Sequence, residues 1–160
     1  MITNVRRASL ALGWALALPV GLVGQHRNAA DEAAIKRMIK ETADAFNNKN
    51  AHRVVELATP DVDQNHGDKI YHLDDAGLKE DFSSAPNMTR TYTVQRVRFI
   101  RPDVAMVDVR ADLQIGTEQS ASHLGFIVVN NDGKWVTAAV RGTRLSPDDL
   151  AADSQMQKKK

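Results

Sequence analysis

The sequence predicts an α+β fold in which about three N-terminal helices pack on one face of a curved antiparallel sheet. Three observations carry this prediction. Apolar residues in the first half recur at helical spacing, and from Thr89 onward they alternate. The polar turn Asn130-Asn131-Asp132-Gly133-Lys134 separates two runs rich in β-branched and aromatic residues. Helices first and a meander after them is the pattern of helices layered on a sheet. A sheet curved in that way leaves a hollow between itself and the helices.

The elements follow in order. Gln25 to Ala30 reads as a polar linker, and a helix is expected to start near Asp31, whose carboxylate can cap free backbone N–H groups. Ile35, Met38, Ile39, Ala43 and Phe46 then form one apolar stripe, with Lys36, Arg37, Lys40, Glu41 and Asp44 mostly outside it. Asn47-Asn48-Lys49-Asn50 ends that helix and starts a second over 51–58, which presents Val54, Val55 and Leu57. Thr59-Pro60-Asp61 is expected to stop it, because proline disfavours helix in the residue before it. Val62 to Tyr71 is polar, contains Gly67 and reads as an irregular strand or loop. A short third helix, Gly77 to Phe82, follows Asp74-Asp75 and is closed by Pro86-Asn87.

Alternation over 89–100 places Val97 and Phe99 on one face and Tyr92, Val94, Arg96 and Arg98 on the other. Arg101-Pro102-Asp103 turns into a strand over 104–115. There Ala105, Val107, Val109, Ala111 and Leu113 share a face, with Asp108, Arg110 and Asp112 opposite. The closing hairpin runs from Ser120 to Leu145, and its Asp132-Gly133 supplies the positive-φ chemistry of a tight turn. His123 and Arg141 occupy positions in it where a core would place Val or Ile. Whether they share a face depends on a register that one residue would change.

The chain has 160 residues, 42% hydrophobic and 26% charged, enough for one domain with a core. A formal net charge of +1 and the lack of a basic stripe with interleaved aromatics argue against nucleic acid as a partner. With no cysteine, thiolate metal sites and cysteine nucleophiles are excluded. Arg6 and Arg7 precede an uncharged run from Ala8 to Gly24, the pattern of a secretory signal peptide cleaved after Ala17 or Gly24, with a weak likeness to a twin-arginine signal. The alternative is an uncleaved membrane anchor, the one route to a membrane. The expected organisation is a signal segment over 1–24, a linker over 25–30, one domain over 31–147 and a polar, disordered tail over 148–160 ending in Lys158-Lys159-Lys160. The protein is therefore expected to be exported, periplasmic or secreted.

Several motifs then come together in one order: Phe46-Asn47-Asn48-Lys49-Asn50, Val55-Glu56-Leu57-Ala58-Thr59-Pro60-Asp61-Val62, the Gly77–Phe82 helix, Asp132-Gly133-Lys134-Trp135-Val136, and Ala139-Val140-Arg141-Gly142-Thr143-Arg144-Leu145. Over residues 31–147 this resembles the nuclear transport factor 2-like superfamily, and within it the SnoaL-like and SgcJ/EcaC-type bacterial domains. The resemblance implies a cone, often dimeric, with a pocket in its mouth. It does not imply one reaction, because such cones host isomerases, cyclases, dehydratases and pure binding domains. Matched to the ketosteroid isomerase branch, His66 falls where a carboxylate base is kept, Gly125 where a protonated acid stabilises an oxyanion, and Thr42 where a tyrosine donates. That triad is absent here.

The candidate catalytic residues are His66, His123 and Arg141. His66 suits a general base near neutral pH, with Asp63 placed to orient it; the plain alternative is an exposed loop histidine. Arg141 suits an anionic or carbonyl group with His123 moving a proton; the alternative is sheet-edge pairing with Glu118 or Asp108. Asp63, Tyr71, Tyr92 and Asp108 are candidate ligand-binding residues. Against this, the tyrosines suit a core and Asp108 an ion pair with Arg96 or Arg98. His26, His52, His66, His72 and His123 show no metal-ligand spacing, and no phosphate-cradling glycine loop or nucleophile elbow is present. No metal and no cofactor are expected. The expected function is binding of a small organic molecule by an exported domain. The alternatives are a cofactor-independent lyase or isomerase with a histidine acid/base, and a homodimeric association domain without catalysis.

Overall fold

The computed structural model describes residues 20–66, 69–146 and 149, with the backbone alone for residues 20–28, His66 and Lys69. The expected signal segment with Arg6 and Arg7 lies outside the described residues up to position 19, and so does the tail from Leu150 onward. The elements are α1 (Val20–Asn47), α2 (Ala51–Glu56), β1 (Ala58–His66), β2 (Lys69–His72), α3 (Asp75–Ser84), β3 (Met88–Arg101), β4 (Val104–Ile115), β5 (Glu118–Asn131) and β6 (Lys134–Arg144). The six strands form one curved sheet in the order β2-β1-β6-β5-β4-β3.

Three expectations need correction. The helix starts at Val20 rather than Asp31, so residues 25–30 are helical and not a linker. The polar stretch after α2 is a hairpin, β1 with β2, in which Asp63 pairs with His72 and Gln64 with Tyr71. Pro60 lies inside β1, where the register against β6 is irregular between Ala58 and Asp63, a place where its missing N–H costs no ladder bond. The β1–β6 pairing is also parallel, so the sheet is mixed rather than wholly antiparallel. Among the described residues no helix is long and apolar enough to cross a membrane.

The apolar stripe of α1 packs on one face of the sheet, here called the inner face. Ile35, Met38 and Ile39 meet Ala105, Val107, Val109, Phe126, Val128 and Trp135, with Tyr92, Val94, Val97 and Phe99 packed around them. A second cluster joins Ala45 and Phe46 of α1 to Ala51 and Val54 of α2 and Leu78 and Phe82 of α3. Asp74 caps α3, accepting from the Gly77 amide at 2.7 Å.

Two bulges decide which side chains share a face. In β3 the pairing passes from Val94↔Val109 to Arg96↔Asp108, leaving Gln95 unopposed. The extra residue shifts the alternation by one, so Tyr92 and Val94 join Val97 and Phe99 on the inner face. This corrects the expected split of that strand, which placed Tyr92 with Arg96 and Arg98. In β6 the pairing passes from Val128↔Thr137 to Ile127↔Ala139, leaving Ala138 unopposed. The Asp132-Gly133 turn has positive φ at both residues, and Asn130 Oδ1 accepts from the Gly133 amide at 2.8 Å. Without the bulge Arg141 would lie opposite Leu124; with it, Arg141 lies opposite Gly125 and Gly142 opposite Leu124.

The Gly142–Leu124 contact is tight. A Cβ at Gly142 would sit 2.8 Å from Leu124 Cδ2. Leu124 Cδ2 is the tip of a half-buried side chain, so Gly142→Ala is expected to turn it aside at a cost of at most about 1 kcal/mol. Urea unfolding of the two proteins checks this; a loss above about 3 kcal/mol would show that Leu124 is held rigidly.

Candidate functional site

On the face away from α1, the outer face, a row of side chains crosses the sheet. Arg96 of β3 lies opposite Asp108 of β4, Asp108 opposite Gly125 of β5, and Gly125 opposite Arg141 of β6. Asp63 of β1 completes the row beyond Arg141. Thr93, Arg110, His123 and Thr143 form the next row. Two ion pairs organise the first row. Arg96 Nε donates to Asp108 Oδ2 at 2.7 Å. Arg141 forks onto Asp63, Nη1 to Oδ1 at 2.8 Å and Nη2 to Oδ2 at 3.1 Å, the bidentate geometry that orients a guanidinium. Asn65 Oδ1 accepts from the Gly142 amide at 2.7 Å, a second tie between β1 and β6.

These residues surround an open depression of about 450 Å³, lined by Asn65, Met106, Asp108, His123, Gly125 and Arg141 with neighbouring backbone. A smaller groove of about 300 Å³ lies further along the same face between Thr91, Asp112 and Gln119. Arg110 lines it, with its side chain largely buried and 2.9 Å from Asp112.

Of the residues singled out in the sequence, Asp108, His123 and Arg141 border the depression, and Asp63 holds Arg141 from its edge. Tyr71 and Tyr92 do not join them. Tyr92 stacks edge-on against Phe126 at 5.8 Å in the core, on the opposite side of the sheet. Tyr71 pairs with Gln64 on the outermost strand, half exposed and one residue out of phase with Asp63. The side chain of His66 lies outside the described residues; its backbone ends β1, paired with Lys69. Among the described residues, apolar side chains pack closely where α1, α2 and α3 meet. Phe46 and Phe82 meet edge to face at 5.8 Å, and the Arg90 guanidinium lies 3.9 Å from the Phe46 ring centroid. Thr42, matched to a catalytic donor, turns its hydroxyl back onto the Met38 carbonyl at 3.0 Å, while Gly125 stands on the outer face. The two positions therefore do not address one site.

Sequence reasoning missed Asn65 and the use of Gly125 as a floor. The Ala138 bulge, which brings Arg141 onto the face of His123, carries no signal in composition. Beyond β6, Ser146 and Asp149 form a reciprocal cap: the Ser146 hydroxyl donates to Asp149 Oδ2 at 2.7 Å and accepts from the Asp149 amide at 3.2 Å. These bonds, with the nearby His123, hold the Asp149 carboxyl below the usual range.

The Asp63 carboxyl is held below the ordinary carboxylate range, chiefly by its hydrogen bonds from Arg141. Its folded value is depressed, so the stability it contributes is present above the unfolded carboxylate value of about 4 and is lost as pH falls through the folded value. Titration followed by carboxyl NMR is expected to place the Asp63 midpoint below that of a free aspartate and to return it to normal in Arg141→Ala. A midpoint indifferent to Arg141 would contradict the pairing.

Comparison with protein-family models and with curated proteins finds no match. Solved structures do match. A Nostoc punctiforme domain of unknown function with a cystatin-like fold superposes with a TM-score of 0.66 at 21% identity, over 81% of this chain and 86% of that one. A nuclear transport factor 2-like protein of unknown function from Shewanella oneidensis gives 0.62 at 16% identity, over 70% and 98%. A ketosteroid isomerase-like protein from Erwinia carotovora atroseptica gives 0.59 at 20% identity, over 72% and 96%. At these identities the likeness shows the fold, which is the nuclear transport factor 2-like α+β cone.

Proposed function

We propose that this chain is an exported binding domain that takes up a small polar organic molecule on the outer face of its sheet. One observation carries the reading: Asp108, His123 and Arg141 border a single depression whose floor is Gly125. Its volume of about 450 Å³ is that of a site for a small ligand. Export is supported by Arg6-Arg7 ahead of the uncharged run to Gly24.

A catalytic role as a cofactor-independent isomerase or lyase draws on the same pair, with His123 as acid/base and Arg141 steadying negative charge. It ranks second because His123 and Arg141 stand on a solvent-open face, where charge stabilisation is weak. Among the described residues the main apolar cluster packs on the inner face, and a second joins the three helices.

The test is a thermal-shift screen of small carboxylates, amines, amino acids, polyketides and aromatics, with hits repeated on Arg141→Ala and His123→Ala. A shift lost in either variant supports the outer-face site. Hits that persist unchanged in both remove it.

A further inference from the structure

The structure assigns a ligand class to this depression: a zwitterion whose ammonium and carboxylate are a few carbons apart, laid across Gly125 from Asp108 to Arg141. The inference rests on the outer-face binding reading and sharpens it. It begins with the glycine. Gly125 lies in mid-strand, where glycine loses backbone entropy and packs nothing, yet no positive φ requires it. Nor does crowding require it, because a Cβ there would meet only the Arg141 carbonyl oxygen, at an ordinary 3.9 Å. A mid-strand glycine leaves room for something else to approach the sheet.

The walls on either side carry opposite charge, and each is drawn away from the gap. Asp108 is bonded to Arg96 on β3 through Oδ2, and Arg141 to Asp63 on β1. The two ion pairs therefore hold the space over Gly125 open rather than closing across it. Both walls retain bonding capacity among the described residues. Arg141 uses Nη1 on Asp63 and on the Val140 carbonyl, and Nη2 once on Asp63. A guanidinium has five N–H donors, so Nε–H and the second Nη2–H remain to receive a carboxylate. Asp108 keeps Oδ1 for an ammonium.

Span sets the size. Asp108 and Arg141 stand two strands apart, roughly 10 Å between backbones. Because both head groups lean outward onto Arg96 and Asp63, charge-assisted bonds of about 2.8 Å at each end leave a ligand with its charges at least about 4–5 Å apart. An α-amino acid is too short to engage both walls, and 4-aminobutyrate is a short zwitterion that meets this lower bound.

Three probes of matched length test this by NMR titration of the whole domain: 4-aminobutyrate, butyrate and butylamine. The expected result is that 4-aminobutyrate binds about tenfold more tightly than either single-charge analogue, the worth of one charge-assisted bond at such a site. Asp108→Asn is expected to erase its advantage over butyrate, Arg141→Gln its advantage over butylamine, and Gly125→Val to abolish binding with the melting temperature retained. Equal affinity for zwitterion and butyrate, or no binding of any of the three, overturns the ligand class. The wider reading then stands only if another compound from the screen binds and is blocked by Gly125→Val; if no compound is so blocked, it falls as well.

Discussion

Phe126→Ala is expected to destabilise the domain by about 3–5 kcal/mol, the range for emptying a fully buried aromatic site. Phe126 is 2% exposed and joins the sheet to α1 through the main cluster. Its ring meets Tyr92 edge-on at 5.8 Å, so truncation also removes an aromatic contact. The cavity has little chance to collapse, because its lining comes from strands paired along their whole length and from the small, immobile side chains Val107, Val109 and Val128. Domains of this size are stable by about 5–15 kcal/mol, so the variant should unfold at much lower urea or fail to accumulate. A shift below about 1 kcal/mol would show that α1 and the sheet do not share the core described.

Phe46→Ala is expected to cost a similar amount, about 3–5 kcal/mol, but with a different signature. Phe46 anchors the second cluster, where α1, α2 and α3 meet. It touches Phe82 edge to face and carries the Arg90 guanidinium over its ring. The Nε of Arg90 is buried with no hydrogen-bond partner among the described residues, and its Nη atoms make long contacts, 3.5 Å to Tyr92 Oη and 3.9 Å to Met88 Sδ. Removing the ring leaves a partly desolvated cation with these weaker contacts. Hydrogen exchange should then show α2 and α3 opening ahead of β4 and β5. Uniform loss of protection across the domain would contradict the division into two clusters.

Much of this fold is legible in the sequence where one period dominates. The α1 stripe of Ile35, Met38, Ile39, Ala43 and Phe46 is wholly buried, and β4 runs from Val104 to Ile115 as its alternation predicts. The failures share a physical cause. Gln95 and Ala138 are bulges, and a bulge reverses face assignments downstream while leaving the residues themselves unremarkable. Plain alternation therefore puts Tyr92 with Arg96, whereas it stands with Phe99. The pairing of β1 with β6 joins segments far apart in the chain, which local pattern cannot reveal. The polar candidates fared according to the same rule. His123 and Arg141 were conspicuous because charge stood where a strand favours apolar residues, but only the register shows that they share a face with Asp108.

Side-chain contacts of a bound ligand test most directly whether the site lies on the outer face. Intermolecular NOEs would be recorded from whichever screened compound raises the melting temperature, using the Met106 methyl and His123 ring as outer-face reporters. The Val140 methyls and the Tyr92 ring report the inner face. NOEs to Met106 and His123, absent from Val140 and Tyr92, are the expected result. The reverse pattern would place the ligand between sheet and helices and contradict the outer-face site.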